Sequence, residues 1–224
     1  MIKQVMVVAA HPDDDVLGCG GTIAKHVSNG DQVHVVFMAD GVGSRDGEID
    51  EAMQERAMAM NAAAKILGTT SVSCLGFPDN RMDSLALIDI VQPLETIIQK
   101  LCPEIIYTHH YGDLNVDHRL THQAVMTACR PIPGSSVKEI LAFEVLSSTE
   151  WQSPGFMPFV PNVFVDISDH MQHKIAAVEA YALEMRETPH SRSVENVKFL
   201  ARYRGHSIGV KASEAMMLVR DLRK

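Results

Sequence analysis

The feature that most constrains this chain is a mostly apolar run that ends abruptly in a histidine and three aspartates. Residues 2–10 are rich in β-branched side chains, which predicts a buried strand. Residues 11–15 read His-Pro-Asp-Asp-Asp, and the proline fits the first turn of a following helix. The positive end of that helix would stabilise the carboxylates. Because like charges repel, the cluster favours a metal or catalytic role over a solvated acidic turn.

Strands and helices alternate along most of the chain, which predicts an α/β, Rossmann-like three-layer fold with a mostly parallel sheet. The predicted strands are residues 2–10, 32–38, 70–77, 104–108, 137–145 and 162–167, and the predicted helices between them are 16–28, 49–67, 85–101 and 118–129. Residues 168–224 resemble two or three helices, a C-terminal helical extension. With 224 residues and no recognisable linker, residues 1–224 are predicted to form a single domain.

Composition excludes several classes of function. The formal net charge of −8, with no basic cluster, argues against a nucleic-acid partner. The N-terminal apolar run is too short to cross a bilayer, so no membrane insertion is expected. The four cysteines are scattered without a Cys-x-x-Cys pair, which is typical of reduced thiols and a cytoplasmic location.

Polar side chains follow three of the predicted strands at the same edge of the sheet. After the first strand come residues 11–15; after the second, Asp40, Ser44 and Arg45; after the fourth, His109, His110, Asn115, Asp117, His118 and His122. In a doubly wound sheet the first and fourth strands are neighbours, so His11 and Asp14 are expected to face the segment 109–122. Two imidazoles and one carboxylate with an open position make a catalytic zinc site. Asp13 would remain to accept a proton from water.

Not every histidine of that segment can bind the same metal. His118 and His122 are one helical turn apart and could both face it, although a helical histidine such as His122 is more often a surface or core residue. His109 and His110 are adjacent and point apart, so at most one lines the site.

Glycines 18, 20 and 21 fail the dinucleotide-binding pattern, because Ile23 occupies the place of its third glycine. We interpret them as positions of close helix packing. A separate Pro-rich loop, residues 151–161, carries the only tryptophan and two phenylalanines. Such a loop borders a site, forms a subunit contact or packs on its own core.

His11-Pro12-Asp13-Asp14 after the first strand, followed by Asn115-Val116-Asp117-His118 after the fourth, resembles the PIG-L/LmbE-like family of zinc-dependent N-deacetylases. Segments 40–45, 77–81, 112–115, 189–193 and 202–205 are similar to its bacterial and archaeal sugar-deacetylase branch, so the resemblance extends over nearly the whole chain.

The resemblance implies Zn²⁺ held by His11, Asp14 and His118, with Asp13 as the general base. It also implies two substrate contacts. Arg56 would bind polar groups of a sugar, and Asp79 would accept hydrogen bonds from its hydroxyl groups. The expected substrate is a small-molecule N-acetylated amino sugar of the N-acetylglucosamine type, or a conjugate, with acetate released. The resemblance to members that assemble, together with the 151–161 loop, predicts a homo-oligomer.

Two departures from the family pattern bear on the mechanism. Many members carry glutamate where this chain has Asp15, which has a shorter side chain. Many also carry histidine at the position of Asn115, which can donate a hydrogen bond to substrate but cannot be a general acid. The proton for the leaving amine would then come from protonated Asp13 or from another histidine, for which His190 is the candidate.

Two alternatives remain open from the sequence. One is a metal-dependent amidase or esterase that acts on a non-sugar substrate. The other is a non-catalytic nucleotide-sugar-binding domain, which would need no stoichiometric metal.

Overall fold

In the computed structural model, residues 2–41 and 49–223 are described. This part of the chain contains seven strands: β1 (Gln4–Ala9), β2 (Gln32–Ala39), β3 (Ser71–Phe77), β4 (Ile105–His109), β5 (Glu139–Phe143), β6 (Val163–Asp166) and β7 (Ser213–Asp221). It also contains six α-helices: α1 (Asp14–Ser28), α2 (Ile49–Leu67), α3 (Leu87–Leu101), α4 (Val116–Ala128), α5 (Met171–Ala180) and α6 (Val194–His206). Short 3₁₀ turns occur at Met82–Ser84 and Thr149–Trp151.

The strands form one mixed sheet in the order β3-β2-β1-β4-β5-β7-β6. β1 is parallel to β2 on one side and to β4 on the other, with Val5 opposite Val33 and Ile105. The predicted adjacency of the first and fourth strands is therefore confirmed. The chain first adds β2 and β3 on one side of β1 and then crosses to the other side to form β4 and β5. The segments that follow β1 and β4 therefore border the crevice in which α/β proteins place their sites.

Helices cover both faces of the sheet, which confirms the predicted three-layer α/β fold. One apolar cluster joins the sheet to α1, α2 and α5, and a second joins its opposite face to α3 and α4. β1 supplies both clusters alternately: Val5 and Val7 pack on the first, Met6 and Val8 on the second. None of the helices within the described residues is long and apolar enough to cross a membrane.

The C-terminal region differs from the prediction in its last segment. α5 and α6 are the two expected helices, but residues 213–221 form β7 instead of a third helix. β7 lies antiparallel between β5 and β6. The short apolar run 215–219 suits a helix or a strand equally well, and pairing with two distant strands decides the outcome.

The interpretation of the N-terminal glycines as close packing is confirmed for two of them. A Cβ atom on Gly18 would lie 2.3 Å from the ring of Phe143, and one on Gly21 would lie 2.7 Å from the side chain of Ile167. Gly20 has ordinary room, with its nearest contact at 3.5 Å. α1 therefore approaches β5 and the segment after β6 more closely than any larger side chain would permit.

Candidate metal centre and active site

A tight turn after β1 presents the first group of polar side chains. The N–H of His11 donates to Asp14 Oδ2 at 2.8 Å, and the N–H of Asp14 donates to the His11 carbonyl at 3.2 Å. Asp13, between them, has a φ of 116°, in the left-handed region that non-glycine residues rarely adopt. Such strain is retained where the surrounding structure requires one side-chain direction. Here it separates the carboxylates of Asp13 and Asp14, which contact different partners.

The segment after β4 presents the second group. Asn115 is the N-cap of α4, and its Oδ1 accepts the N–H of Asp117 at 2.8 Å. The backbone N–H of Asn115 in turn donates to Asp113 Oδ1 at 2.9 Å. These two bonds fix where α4 begins, and so they place His118 in its first turn, facing the turn after β1.

Three ligand atoms converge between the two groups. Asp14 Oδ2 lies 3.3 Å from His11 Nδ1 and 3.3 Å from His118 Nε2. All three side chains are buried, and their ligand atoms lie within 4.8 Å of one another. Separations of this size suit three ligands of a single small cation.

Carboxylates stand behind both imidazoles. His11 Nε2 lies 3.1 Å from Asp117 Oδ2 and 3.2 Å from Asp79 Oδ1, and His118 Nδ1 lies 3.1 Å from Asp113 Oδ1. Each carboxylate can accept a proton from the far ring nitrogen, so that the nitrogen facing Asp14 could bind a metal when one is present. The donor set thus fits a metal: two suitably oriented imidazoles and one carboxylate.

The electrostatics of the site favour positive charge. Burial alone would lower the pKa of His118, but Asp14 and Asp113 raise it to about 9. Burial acts in the same way on His11, and hydrogen bonds to Asp117, Asp14 and Asp79 outweigh it, so that the pKa is raised well above its usual value. A divalent cation between the two rings would be stabilised by the same carboxylates.

A second group of potential ligands consists of His11, Asp79 and Asp117. Both carboxylate oxygens of Asp117 already accept backbone hydrogen bonds: Oδ2 accepts the N–H of Asn80 at 2.7 Å, and Oδ1 accepts the N–H of Met82 at 3.1 Å. This group therefore suits the orientation of His11 better than the binding of a second ion.

Asp13 faces two arginines. Its Oδ2 accepts a hydrogen bond from Arg192 Nη1 at 3.0 Å and lies 4.0 Å from Arg56 Nη2. Glu184 forms an ion pair with Arg56 Nη1 and lies 3.9 Å from Arg192. Burial raises the pKa of Asp13, and the two guanidinium groups oppose the rise. The carboxylate is thus held in place beside the three ligand atoms without being one of them.

These groups line one cavity of about 130 Å³. Its wall is polar apart from Gly41 and consists of His11, Asp13, Asp14, Arg56, Asp79, Asn80, Asn115, His118, Ser147, Ser148, Glu184 and Arg192. Seven of the eight site residues expected from the sequence are in this wall. A larger cavity of about 420 Å³ lies between α2 and residues 180–184 and shares Arg56 and Glu184 with the first. Among the residues that the structure describes, neither potential metal-ligand group lies in this larger cavity.

The eighth expected residue, His190, lies outside the set that lines the cavity within the described part of the chain. It is exposed, and its ring packs edge-on against Trp151 with centroids 5.8 Å apart. Its Nδ1 accepts the backbone N–H of Arg192 at 2.9 Å. His190 thus contacts the backbone of a residue that reaches Asp13, and its role as a proton donor remains a prediction.

The other histidines after β4 have separate partners. His109 stacks on His118 at 3.9 Å, and its Nε2 accepts the N–H of Ala10 at 2.8 Å. His110 points away and bonds the carbonyl of Met157, while His122 Nδ1 bonds the carbonyl of His109. Of the adjacent pair, His109 contacts His118, and neither His109 nor His110 is among the described residues that line the cavity. Ser44 and Arg45, also named from the sequence, lie outside the described residues.

Sequence reasoning assigned no role to Asp113, Arg192 or Glu184. Asp113 is fully buried and bonds Ser148 and Thr149 as well as His118. Asp113 and Arg192 lie in segments similar to the deacetylase family, which was the available signal. No local signal distinguishes Glu184, because its function as a partner of two arginines depends on packing between distant elements.

The fold and the site together define an α/β protein with a buried His/Asp metal-type site at the carboxyl ends of parallel strands. Residues 6–129 match the PIG-L family, described as GlcNAc-PI de-N-acetylase, and the chain belongs to this family.

Several relatives carry descriptions of activity. The chain is 36% identical to the uncharacterized deacetylase YaiS of Escherichia coli, over 80% of this chain and 90% of that protein. It is 29% identical to diacetylchitobiose deacetylase of Thermococcus kodakarensis, over 97% and 84%. It is also 30% identical to 4-oxalmesaconate hydratase of Pseudomonas putida, over 80% and 73%.

Among solved structures, the conserved protein TT1542 of Thermus thermophilus is similar with a TM-score of 0.79 and 25% identity. The match covers 100% of this chain and 97% of that one. The fold is therefore shared along the full length of both molecules.

We expect Asp113→Asn to weaken zinc binding by about 10–100-fold, the usual effect of losing a carboxylate behind a histidine ligand. The amide can present its NH₂ group to His118 Nδ1 and so disfavour the required tautomer. Zinc dissociation constants from chelator competition measure the effect, with Asp89→Asn, at an exposed position of α3, as the matched control. Unchanged affinity in the Asp113 variant would show that this carboxylate does not orient His118.

Proposed function

We propose that this chain is a zinc-dependent hydrolase that removes the N-acetyl group from an amino sugar of the N-acetylglucosamine type, or from its conjugate, and releases acetate. The observation that carries the proposal is the convergence of His11 Nδ1, Asp14 Oδ2 and His118 Nε2 beside a further carboxylate, that of Asp13, which is not one of the three. Membership in a family that includes sugar deacetylases supports it.

Zinc is the metal that suits this ligand set. Two imidazoles and one carboxylate, with room for a further ligand, are typical of catalytic zinc sites, whereas magnesium and calcium prefer oxygen ligands. Bound zinc would polarise the amide carbonyl and lower the pKa of a coordinated water toward ~7.

Asp13 is the residue we assign to proton transfer. Its hydrogen bond to Arg192 aims one carboxylate oxygen, and its buried position keeps bulk water from competing for the proton. Asp13 would accept a proton from the attacking water and later deliver it to the leaving amine. Asn115 is a poor candidate for that delivery, because its Oδ1 caps α4 and its Nδ2 donates to Asn80 Oδ1 at 3.0 Å.

The polar wall of the cavity provides the contacts for the substrate. Arg56, Asp79 and Asn115 line it together with the proposed metal ligands. We propose that Asp79 accepts hydrogen bonds from sugar hydroxyls while it also contacts His11, and that Arg56 binds a polar substituent of the sugar. Ser147 and Ser148 offer further hydroxyl groups in the same wall.

The proposed enzyme comprises one domain and is cytoplasmic. β7 pairs with both β5 and β6, which supports residues 1–224 as a single LmbE-like unit. All four cysteines are free thiols, as expected in a reducing compartment.

A hydratase is the rival function, because one relative at 30% identity is a 4-oxalmesaconate hydratase. Zinc-loaded enzyme should release acetate and a free amine from at least one member of a panel of N-acetyl sugars and their conjugates. The same preparation should leave 4-oxalmesaconate, an unsaturated tricarboxylate, unchanged. Hydration of 4-oxalmesaconate without acetate release from any sugar would overturn the proposal in favour of the rival.

Replacing Asp13 and replacing Asp14 should impair different properties of the enzyme, turnover in the first case and zinc affinity in the second. Asp14→Ala removes a ligand, so zinc affinity should fall and activity should partly return at high zinc concentration. Asp13→Asn keeps the shape and the metal but removes the base, so turnover should fall by roughly 10²–10⁴-fold without rescue by zinc. Zinc stoichiometry and acetate release are measured on both variants. Loss of zinc only in Asp13→Asn would reverse the two assignments.

We also propose that the chain assembles as a homo-oligomer through an aromatic surface. Phe156 and Met157 line one groove, and Phe199 and Tyr203 of α6 line a second groove that shares Glu144 and Arg204 with the first. All four apolar side chains are exposed, as are Trp151 and Val160 of the same loop. Exposed apolar surface that borders polar residues is typical of subunit contacts.

Light scattering should give a mass of at least two chains, which Phe199→Asp should reduce to that of the monomer. Ile132→Asp, at a comparably exposed apolar residue elsewhere, is the matched control and should not change the mass. A monomeric wild-type protein over a wide concentration range would contradict the proposal.

A further inference from the structure

Helix α1 is interrupted only five residues after Asp14. Cys19 has φ −145° and ψ 24°, outside the helical region, so a short front segment (residues 14–18) meets a longer rear segment (residues 20–28) at a kink. A break of this kind leaves backbone groups without their regular helical partners. In α1 these groups are satisfied by two charged side chains from other elements.

Glu214 of β7 binds the start of the rear segment. Its Oε1 accepts the N–H of Gly21 at 2.9 Å, and its Oε2 accepts the N–H and the hydroxyl of Thr22 at 2.7 and 2.6 Å. The carboxylate therefore acts as an N-terminal cap supplied by a distant strand.

Lys174 of α5 binds the end of the front segment. Its Nζ donates to the carbonyl of Leu17 at 2.8 Å and to Glu214 Oε1 at 2.5 Å. In a regular helix the carbonyl of Leu17 and the N–H of Gly21 are partners. Here Lys174 and Glu214 bind these two groups, and they are themselves an ion pair.

The pair is enclosed by the protein. Lys174 is 3% exposed and Glu214 is 4% exposed. A buried ion pair is costly unless further hydrogen bonds support it, and here the backbone of α1 provides bonds to both partners. The contact of Gly18 with Phe143 fixes the front segment from the other side.

We propose that Lys174 and Glu214 are positioning residues for the metal centre. The front segment of α1 carries Asp14, whose Oδ2 must lie close to both His11 Nδ1 and His118 Nε2. Because the kink uncouples this segment from the rear of α1, its orientation depends on the bond from Lys174 to Leu17 and on the cap by Glu214. The inference rests on the proposed metal centre and goes beyond it, since neither residue touches the ligands.

The experiment measures the zinc dissociation constant of Lys174→Met and Glu214→Gln by competition with a chromophoric chelator. It is performed well below the unfolding temperature of each metal-free variant. Both constants should rise about tenfold or more, the scale on which supports of ligands act. The double variant should bind zinc no more weakly than the weaker single variant, because the two residues act through one pair.

Lys138→Met is the matched control. Lys138 pairs with Glu104 at the same 2.5 Å separation, but on the surface, where such a pair contributes little. Its zinc dissociation constant should stay within about twofold of wild type. Thr22→Val is a milder variant that removes one donor to Glu214 and keeps both backbone bonds; its constant should rise about threefold.

The outcomes separate this inference from the metal centre itself. Wild-type protein that binds zinc, together with folded Lys174 and Glu214 variants of wild-type affinity, would overturn the positioning role. A purely structural role would lower the melting temperature of the metal-free protein without changing zinc affinity. If Lys174→Met and Glu214→Gln do not fold, the Thr22→Val variant decides: a zinc affinity equal to that of wild type would overturn the inference. A wild-type protein that binds no zinc overturns the metal centre as well.

Discussion

The contact of one carboxylate oxygen, Asp14 Oδ2, with a nitrogen of each of two buried imidazoles is the interaction on which this site depends. Each imidazole is held from behind by another carboxylate, so that five buried charged or titratable groups lie within a few ångströms of one another. Such a concentration of negative groups is costly unless positive charge balances it. A divalent cation at the common point of the three ligand atoms would provide that balance.

The parallel sheet makes this contact possible. β1 and β4 are adjacent, and the turn after each strand directs its side chains into the crevice between them. Arg56 of α2 and Arg192 of the segment before α6 then close the other side around Asp13. Two groups of charged side chains result, one around Asp14, which we propose to hold the metal, and one around Asp13, which we propose to transfer the proton. The left-handed backbone at Asp13 directs the two carboxylates to these different partners.

Much of this arrangement could be predicted from the sequence, because its signals are local. The apolar run before His11 and the alternation of strands with helices determine the fold class and the edge at which the site lies. The final strand could not be predicted in this way, since the 215–219 run becomes a strand only by pairing with β5 and β6. Partners far apart in the chain were also missed. Arg192 and Asp13 are 179 residues apart, and Glu214 caps a helix 193 residues earlier, so only packing reveals either contact.

The central claim is that one metal ion joins the segments after β1 and β4 through His11, Asp14 and His118. Anomalous diffraction from crystals of zinc-replete protein, recorded at the zinc absorption edge, tests it most directly. The account predicts a single strong peak about 2.0–2.2 Å from His11 Nδ1, a carboxylate oxygen of Asp14 and His118 Nε2. A peak bound instead by His11 Nε2, Asp79 and Asp117, or no peak in this cavity, would contradict it.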